Sequence, residues 1–556
     1  MLKTYTYPKY HYQRPPELDA VGARRPVLIV GAGPVGLTAA LDCHLHGIPA
    51  IVIDDDDTVS VGSRGLCYAK RALEVLDRVG VGQAVVDKGV EWNVGRTFFR
   101  EKEVYSFNLL PEPDHKRPGM INLQQYYLEE YLVNRCNEVG IDIRWKNKVV
   151  SVTPADDRVS LQVETADGVY GIECDWLIVC DGARSPIRTM MGLDIDGKIF
   201  MDRFLIADVV MKADFPAERW FWFDPPFHPN QSVLLHREAD NVWRIDFQLG
   251  WDADPQAEKQ PERVIPRIQA MLGKDREFEL EWVSVYTFQC RRMNRFNHGR
   301  VMFAGDAAHQ VSPFGARGAN SGVQDTDNLI WKLKLVIDGK APSELLDTYS
   351  DERCWAADEN ILNSTRSTDF ITPKSNASKQ IRTAVLQLAQ KHAFARKLVN
   401  SGRLSVPAYY TGSALNTPDS DSFAGMMEPG APMDDAPVRV NGHDPADQWL
   451  LDHVGNRFQA LLFADDVATL DGSQLRALAE GGGGQFPVQP VVITPGSKAV
   501  PGILTLQDVK GRFAQRYDAR DGTVYLARPD QHVAARWRSL DLASIRAAVL
   551  RATCNA

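Results

Sequence analysis

The stretch VLIVGAGPVG, residues 27–36, restricts what this chain can fold into more than any other ten residues. An apolar run ending on Gly31, Gly33 and Gly36 predicts a buried strand that turns sharply into a helix over residues 37–47. Backbone amides at that helix start face an anion. Glycine turns also close ordinary strand-to-helix junctions, so the context decides. PAIVIDDDD supplies it: a strand at 50–53 ends on Asp54, about twenty residues past the turn, where a dinucleotide-binding βαβ unit places an acid for a ribose. Asp55, Asp56 and Asp57 read as a solvated loop. WLIVCDG later brings a second apolar strand to Asp181-Gly182, aimed at the same ligand.

At 556 residues, two or three domains are expected. A net charge of -9 with no concentrated basic stripe argues against a nucleic-acid surface. Eight cysteines, at 43, 67, 136, 174, 180, 290, 354 and 554, form no CxxC pair and no cysteine–histidine spacing suited to zinc. They read as reduced core thiols, with no metal site expected. The N-terminal residues lack the apolar core of a signal peptide, and no later run is long enough to span a bilayer. The expectation is a soluble cytoplasmic protein with neither nucleic acid nor membrane as partner.

Helices are expected over 65–80 and 122–137, followed by β-like runs from 144 to 180. Between 200 and 290 several short strands recur; in VWRIDFQ the apolar Val242, Trp243, Ile245 and Phe247 alternate with Arg244, Asp246 and Gln248, as in a sheet with one covered face. Residues 405–440, rich in Pro, Ser, Gly and Asp, read as a linker, and βαβ-like punctuation beyond it marks a smaller third domain. The glycines at 481–484 read as a surface loop.

GAGPVG with Asp54, DGARSPIR at 181–188, and GDAAHQVSPFGARGANSGVQDTDNLIWKL at 305–333 stand in that order. Together they resemble the single-component, class A flavin-dependent aromatic hydroxylases, in particular the subgroup that includes phenol hydroxylases and 3-(3-hydroxyphenyl)propionate hydroxylases. The resemblance implies an α/β fold: a Rossmann-like FAD-binding domain (27–199 and 291–404) interleaved with a β-sheet substrate domain (200–290), after an N-terminal extension (1–26) and before a linker (405–440) and a C-terminal thioredoxin-like domain (441–556). It implies FAD held by Gly31, Gly33, Pro34, Val35, Gly36, Asp54, Arg64, Gln125, Asp181, Asp306, Pro313, Gly318, Ala319 and Asn320, with His309 supporting the flavin loop. NADH or NADPH as co-substrate, O2, a small phenolic substrate and a homodimer are implied as well.

The resemblance further implies that reduced nicotinamide gives hydride to the flavin, that oxygen adds to form a flavin hydroperoxide, and that a phenol ring attacks its distal oxygen. The protein must exclude water and favour phenolate. Candidates on the β-rich segment are His236, Arg237, Arg244, Asp246, Tyr286 and Gln289, of which His236 and Tyr286 are the expected catalytic groups. Arg244 is the expected anchor for a substrate carboxylate and Trp222 an expected substrate contact. Four departures from the family pattern stand out: Asp54 followed by Asp55 rather than a basic residue, Leu66 where phenol hydroxylase carries an acid, Cys67 at a common glycine, and Ala316 at another. RWFWFDPP also resembles the WxWxIP signature of flavin-dependent halogenases, with Asp224-Pro225 replacing Ile-Pro, so halogenation stays an alternative, as does a non-catalytic FAD-binding protein.

Overall fold

A computed structural model describes residues 2–19, 24–62, 64–399, 404–441, 448–480 and 486–556; the glycines at 481–484 lie outside the described residues. The first sheet is built around the strand Arg25–Val30, whose parallel neighbours are Ala50–Ile53 on one side and Gly168–Val179 on the other. Asp142–Arg144 and Val301–Phe303 extend it as further parallel strands. Val27, Leu28 and Ile29 are fully buried because both faces of this strand are covered. One cover is the helix Pro34–Leu45, packed against the helices Gln125–Glu138 and Gly318–Ile337.

Two helix expectations begin too early. Residues 65–80 divide into the strand Cys67–Ala69 and the helix Lys70–Arg78, and residues 122–137 into the end of the strand Met120–Asn122 and the helix Gln125–Glu138. The two strands pair antiparallel, Cys67 opposite Asn122, so each helix starts only after its strand has found a tertiary partner.

The second sheet has eight strands in the order His309–Gln310, Glu279–Arg292, Asp196–Val210, Val242–Gly250, Ser232–Arg237, Arg219–Phe223, Val94–Phe99 and Lys102–Asn108. It runs beyond 200–290: its last two strands come from within 27–199, where Arg219–Phe223, open on one edge, takes Val94–Phe99 as a parallel partner. It also has two covered faces rather than one. Leu205, Ala207, Val233, Leu235, Ile245 and Phe247 pack on the outer face with Val264 and Ile268 of the helix Pro261–Leu272. The residues between them point inward, toward the loop 313–316 and the helix Asp347–Ile371.

The C-terminal part holds a seven-stranded sheet. Gln459–Phe463, the helix Gly472–Ala479 and Gln489–Thr494 form a parallel βαβ unit, and an antiparallel pair, Val524–Ala527 and Val533–Trp537, leads into the helix Leu542–Ala552. Residues 405–440 are not a free spacer. Tyr410 and Leu415 are buried, Gly430 N donates to Val533 O at 2.7 Å, and Pro437–Val440 is itself a strand of this sheet. The polar composition there reflects turns packed on a surface, not a solvated tether. No helix among the described residues is long and apolar enough to cross a membrane.

Candidate functional site

The parallel strands deliver the glycine turn, Asp54 and Cys180–Asp181 to one edge of the first sheet. The three glycines there act differently. Gly31 has φ +109°, and a Cβ on it would stand 2.3 Å from the Cys180 carbonyl oxygen; one on Gly36 would stand 1.9 Å from the Gly31 carbonyl oxygen. Close backbone approach therefore requires both. A Cβ on Gly33 meets nothing within 4 Å. Gly33 is the N-cap of the helix that opens on Pro34, and no side chain caps that helix, so its first amides face open space. Such an N-terminus suits a diphosphate. Val35 wedges the turn against two later motifs: its Cγ2 would lie 3.0 Å from a Cβ on Gly305 and 2.5 Å from one on Gly322.

Asp54 straps the turn. Its Oδ2 accepts from Ala32 N at 2.5 Å and its Oδ1 from Asp56 N at 2.8 Å, and burial raises the carboxyl above the usual range. Each oxygen keeps a lone pair for a ribose hydroxyl. Asp181 Oδ2 accepts from Ile187 N, whereas its Oδ1 is buried with no partner, as expected of an acceptor awaiting a ligand hydroxyl. Asp306 is exposed yet so surrounded by protein that its carboxyl is also raised, the mark of a concave floor. A Cβ on Gly318 would sit 3.8 Å from its Oδ1, so Asp306 lies beside the start of the helix Gly318–Ile337.

Pro313 opens a short turn, Ala316 takes φ +50°, and Gly318 and Ala319 begin that helix with no side-chain cap. The Asn320 side chain is fully committed: Oδ1 accepts from Ala69 N at 2.7 Å, and Nδ2 donates to Cys67 O at 2.8 Å and Ala316 O at 2.7 Å. Only its backbone amide is left for a cofactor. Asp325 Oδ2 joins Gly305 N at 2.8 Å and His309 Nε2 at 2.7 Å, and Oδ1 accepts from Arg353 Nε at 2.6 Å. His309 thus braces the loop. Gln125 Oε1 accepts from Gly65 N at 2.8 Å, holding the segment that carries the exposed Arg64. The residues present fit FAD: an open helix N-terminus for its diphosphate, acids for its hydroxyls, and a second helix start for its ring. Among the described residues no cluster suited to a metal ion appears.

On the inner face of the second sheet the register lays side chains in rows. Arg219, His236, Arg244 and Asp208 form one; Phe221, Leu234, Asp246 and Ile206 the next; Phe223, Ser232, Phe204 and Tyr286 belong to the third. Between this face and Phe314 lies a narrow, mainly apolar pocket, partly open to solvent, lined by Thr97, Phe107, Arg219, Phe221, Phe223 and Ile371 among others.

Three expected substrate-side residues change role. Trp222 projects to the outer face, stacked on Phe98 at 5.1 Å, because period-two alternation sends Phe221 and Phe223 inward instead. Arg244 is buried in a bidentate pair with Asp208, both bonds 2.9 Å, with Glu238 at 3.3 Å, so it is no free anchor for a carboxylate. His236 is 4% exposed, and burial together with Arg219 and Arg244 holds its imidazole neutral, far below the usual range; it is too weak a base to take a phenol proton. Tyr286 does lie on the inner face, half-buried, and burial raises its hydroxyl pKa. Sequence reasoning missed Arg219, Phe221, Phe223 and Phe314. The alternation in RWFWF carried the signal for three of them, but only the fold says which side of the strand faces the cleft.

Residues 24–364 match the family described as FAD binding domain. The chain is 26% identical to a 3-(3-hydroxy-phenyl)propionate/3-hydroxycinnamic acid hydroxylase of Mycolicibacterium gilvum over 92% of this chain and 88% of that one. It is 31% identical to a 6-methylpretetramide 4-monooxygenase of Streptomyces rimosus over 81% of each. Among solved structures, that of the flavin-dependent monooxygenase PieE in complex with FAD and substrate superposes with a TM-score of 0.81 at 23% identity, covering 97% of this chain and 100% of that one.

Proposed function

The chain belongs to the FAD binding domain family and is an FAD-dependent aromatic hydroxylase, and from that premise we propose that it consumes NADH or NADPH and O2 to hydroxylate a monocyclic phenol in the cavity beneath Phe314. The lining of that pocket carries the reading: flat apolar walls from Phe107, Phe221, Phe223 and Phe314 with a buried guanidinium from Arg219, a chemistry suited to an aromatic ring bearing a polar group.

When bound, FAD supplies acceptance of hydride and activation of O2 for oxygen-atom transfer. The chain's own residues do the rest. Amides at the starts of the helices Pro34–Leu45 and Gly318–Ile337 hold negative charge. Asp54, Asp181 and Asp306 accept from hydroxyls. The aromatic walls exclude water from the ring they enclose. Tyr286, kept protonated by burial, serves as a hydrogen-bond donor rather than a base. With Arg244 held by Asp208, any acidic group on the substrate falls to Arg219 rather than to Arg244. The tryptophan pair that raised the halogenase alternative packs on the opposite side of the sheet from the cavity.

Eight free cysteines and the nicotinamide requirement support a cytoplasmic setting. The family resemblance supports a homodimer, which light scattering tests. The reaction is tested by following NADH and NADPH oxidation with oxygen uptake across a panel of phenols. Acceleration by one phenol with matching product supports the reading. Oxidation that no phenol accelerates, or that yields only hydrogen peroxide, removes it.

A further inference from the structure

One side of the pocket is covered by residues 372–399, which form two helices. The first, Asn376–Ala389, starts on a reciprocal cap in which Ser378 N donates to Ser375 Oγ at 3.1 Å and Ser375 N donates to Ser378 Oγ at 3.0 Å. The second, Ala393–Leu398, follows at once. Both lie on the same apolar cluster: Leu386, Ala389, Ala395 and Val399 are buried there with Phe223, Phe314 and Ile371. Ile371 and Val399, at the two ends of the segment, also line the pocket. The helices therefore turn their other sides outward, and those sides are apolar. Ile381, Ala384 and Leu388, spaced i, i+3 and i+7, are exposed, as are Phe394 and Leu398. Ile381, Phe394 and Leu398 keep 65, 61 and 57% of their surface open. A solvent-facing helix side is normally polar, so an apolar stripe of this kind marks an interaction surface.

Charge selects the partner. Lys374, Lys379, Arg382, Lys391, Arg396 and Lys397 stand along the segment, and the chain has no Asp or Glu between Asp369 and Asp419, although its acids outnumber its bases by 72 to 63. Lys391, Arg396 and Lys397 are exposed beside the apolar stripe, and Lys391 and Lys397 have no ion pair among the described residues. A two-fold dimer through this face would set the cations of one copy against those of the other. An anionic bilayer satisfies both features at once, its headgroups taking the cations and its upper acyl layer the apolar side chains. We infer that the outer side of residues 372–399 docks on an anionic lipid surface, with Phe394 and Leu398 entering it and Lys391, Arg396 and Lys397 holding its headgroups. The expectation of no membrane partner rests on the want of a spanning run, which crossing a bilayer needs and lying on one does not. Docking there sets the cover of the pocket against the layer in which apolar aromatic molecules collect. It needs no particular substrate and stands apart from the hydroxylase reading.

The test uses the FAD-loaded full chain and needs no turnover. Its binding to vesicles of phosphatidylcholine alone, and of phosphatidylcholine with about one third phosphatidylserine, is measured by co-sedimentation at low and high salt. Flavin absorbance and thermal midpoint report that each variant is folded. The wild type is expected to bind the anionic vesicles, at least about tenfold more tightly than the neutral ones, and to lose that margin in high salt. Lys391→Gln with Lys397→Gln weakens binding about twentyfold, at about fivefold for each cation removed. Phe394→Ser with Leu398→Ser weakens it about tenfold or more. Equal binding to both kinds of vesicle, no binding to either, or anionic binding that neither pair of substitutions changes overturns the proposal. Light scattering without lipid reads the competing occupant. A dimer that Phe394→Ser with Leu398→Ser turns into a monomer assigns this face to a second copy of the chain and overturns the proposal as well.

Discussion

Gly33 and Gly36, three positions apart, answer to different constraints. Alanine at Gly36 forces its Cβ into the Gly31 carbonyl, so Gly36→Ala is expected to lower the unfolding midpoint and the soluble yield. A Cβ at Gly33 meets nothing within 4 Å, so Gly33→Val is expected to fold normally and to lose FAD affinity by tenfold or more, read as flavin content against thermal midpoint. His236 carries a pH prediction of its own. Its native pKa lies well below the ordinary histidine value, so below about 6.5 the unfolded chain binds more protons than the folded one, and stability falls as pH drops. His236→Gln is expected to flatten that fall between about pH 7 and pH 5 by up to about 1.4 kcal/mol per unit, checked by denaturant titrations at each pH.

At the scale of elements, the flavin helix Gly318–Ile337 and the strand Cys67–Ala69 are joined through one side chain. Asn320→Ala removes three hydrogen bonds and leaves Ala69 N and Cys67 O without their partner, which costs about 1–3 kcal/mol. A matching loss of FAD affinity is expected if the strand positions the helix start, measured by flavin release on dilution. The same elements show what the sequence made legible. The βαβ core around the glycine turn was readable because local pattern and tertiary demand coincide there: a buried parallel strand is apolar throughout, and only glycine tolerates the Cys180 contact. The inner face of the second sheet was not. Alternation in VWRIDFQ and RWFWF separates two faces, but which one meets the cleft depends on strands 94–108 and on helices far along the chain. Hence the sequence pattern points to Trp222 and Arg244, whereas Phe221, Phe223 and Arg219 line the cavity. Likewise, the turn-rich composition of 405–440 gave no sign that Tyr410 is buried there.

Across the whole molecule, a seam of buried charge ties the flavin helix to the C-terminal part. Arg528 donates to both oxygens of Glu352, at 2.7 and 2.9 Å, and to Asp530; Lys332, on the flavin helix, reaches Glu352 at 2.8 Å. Arg71 bridges Asp327 of the same helix and the Asp530 carbonyl. Arg353 continues the link through Tyr410, which stacks on His532 at 4.7 Å. The C-terminal part therefore backs the helix whose other end is the proposed seat of the flavin ring. Arg528→Ala removes the cation shared by Asp530 and Glu352, leaving Glu352 to Lys332 alone, and is expected to cost about 3 kcal/mol, seen as a lower denaturant midpoint in step with loss of bound flavin. Separate transitions for flavin release and C-terminal unfolding would contradict that coupling.

The reaction proposed for these parts is transfer of an oxygen atom from O2 to a phenol seated beneath Phe314. Turnover of an accelerating phenol with reduced nicotinamide under 18O2, followed by mass spectrometry of the product, reads that step most directly. One 18O atom per hydroxylated product is expected. Product oxygen drawn from water, or hydrogen peroxide formed with the phenol unchanged, would contradict it.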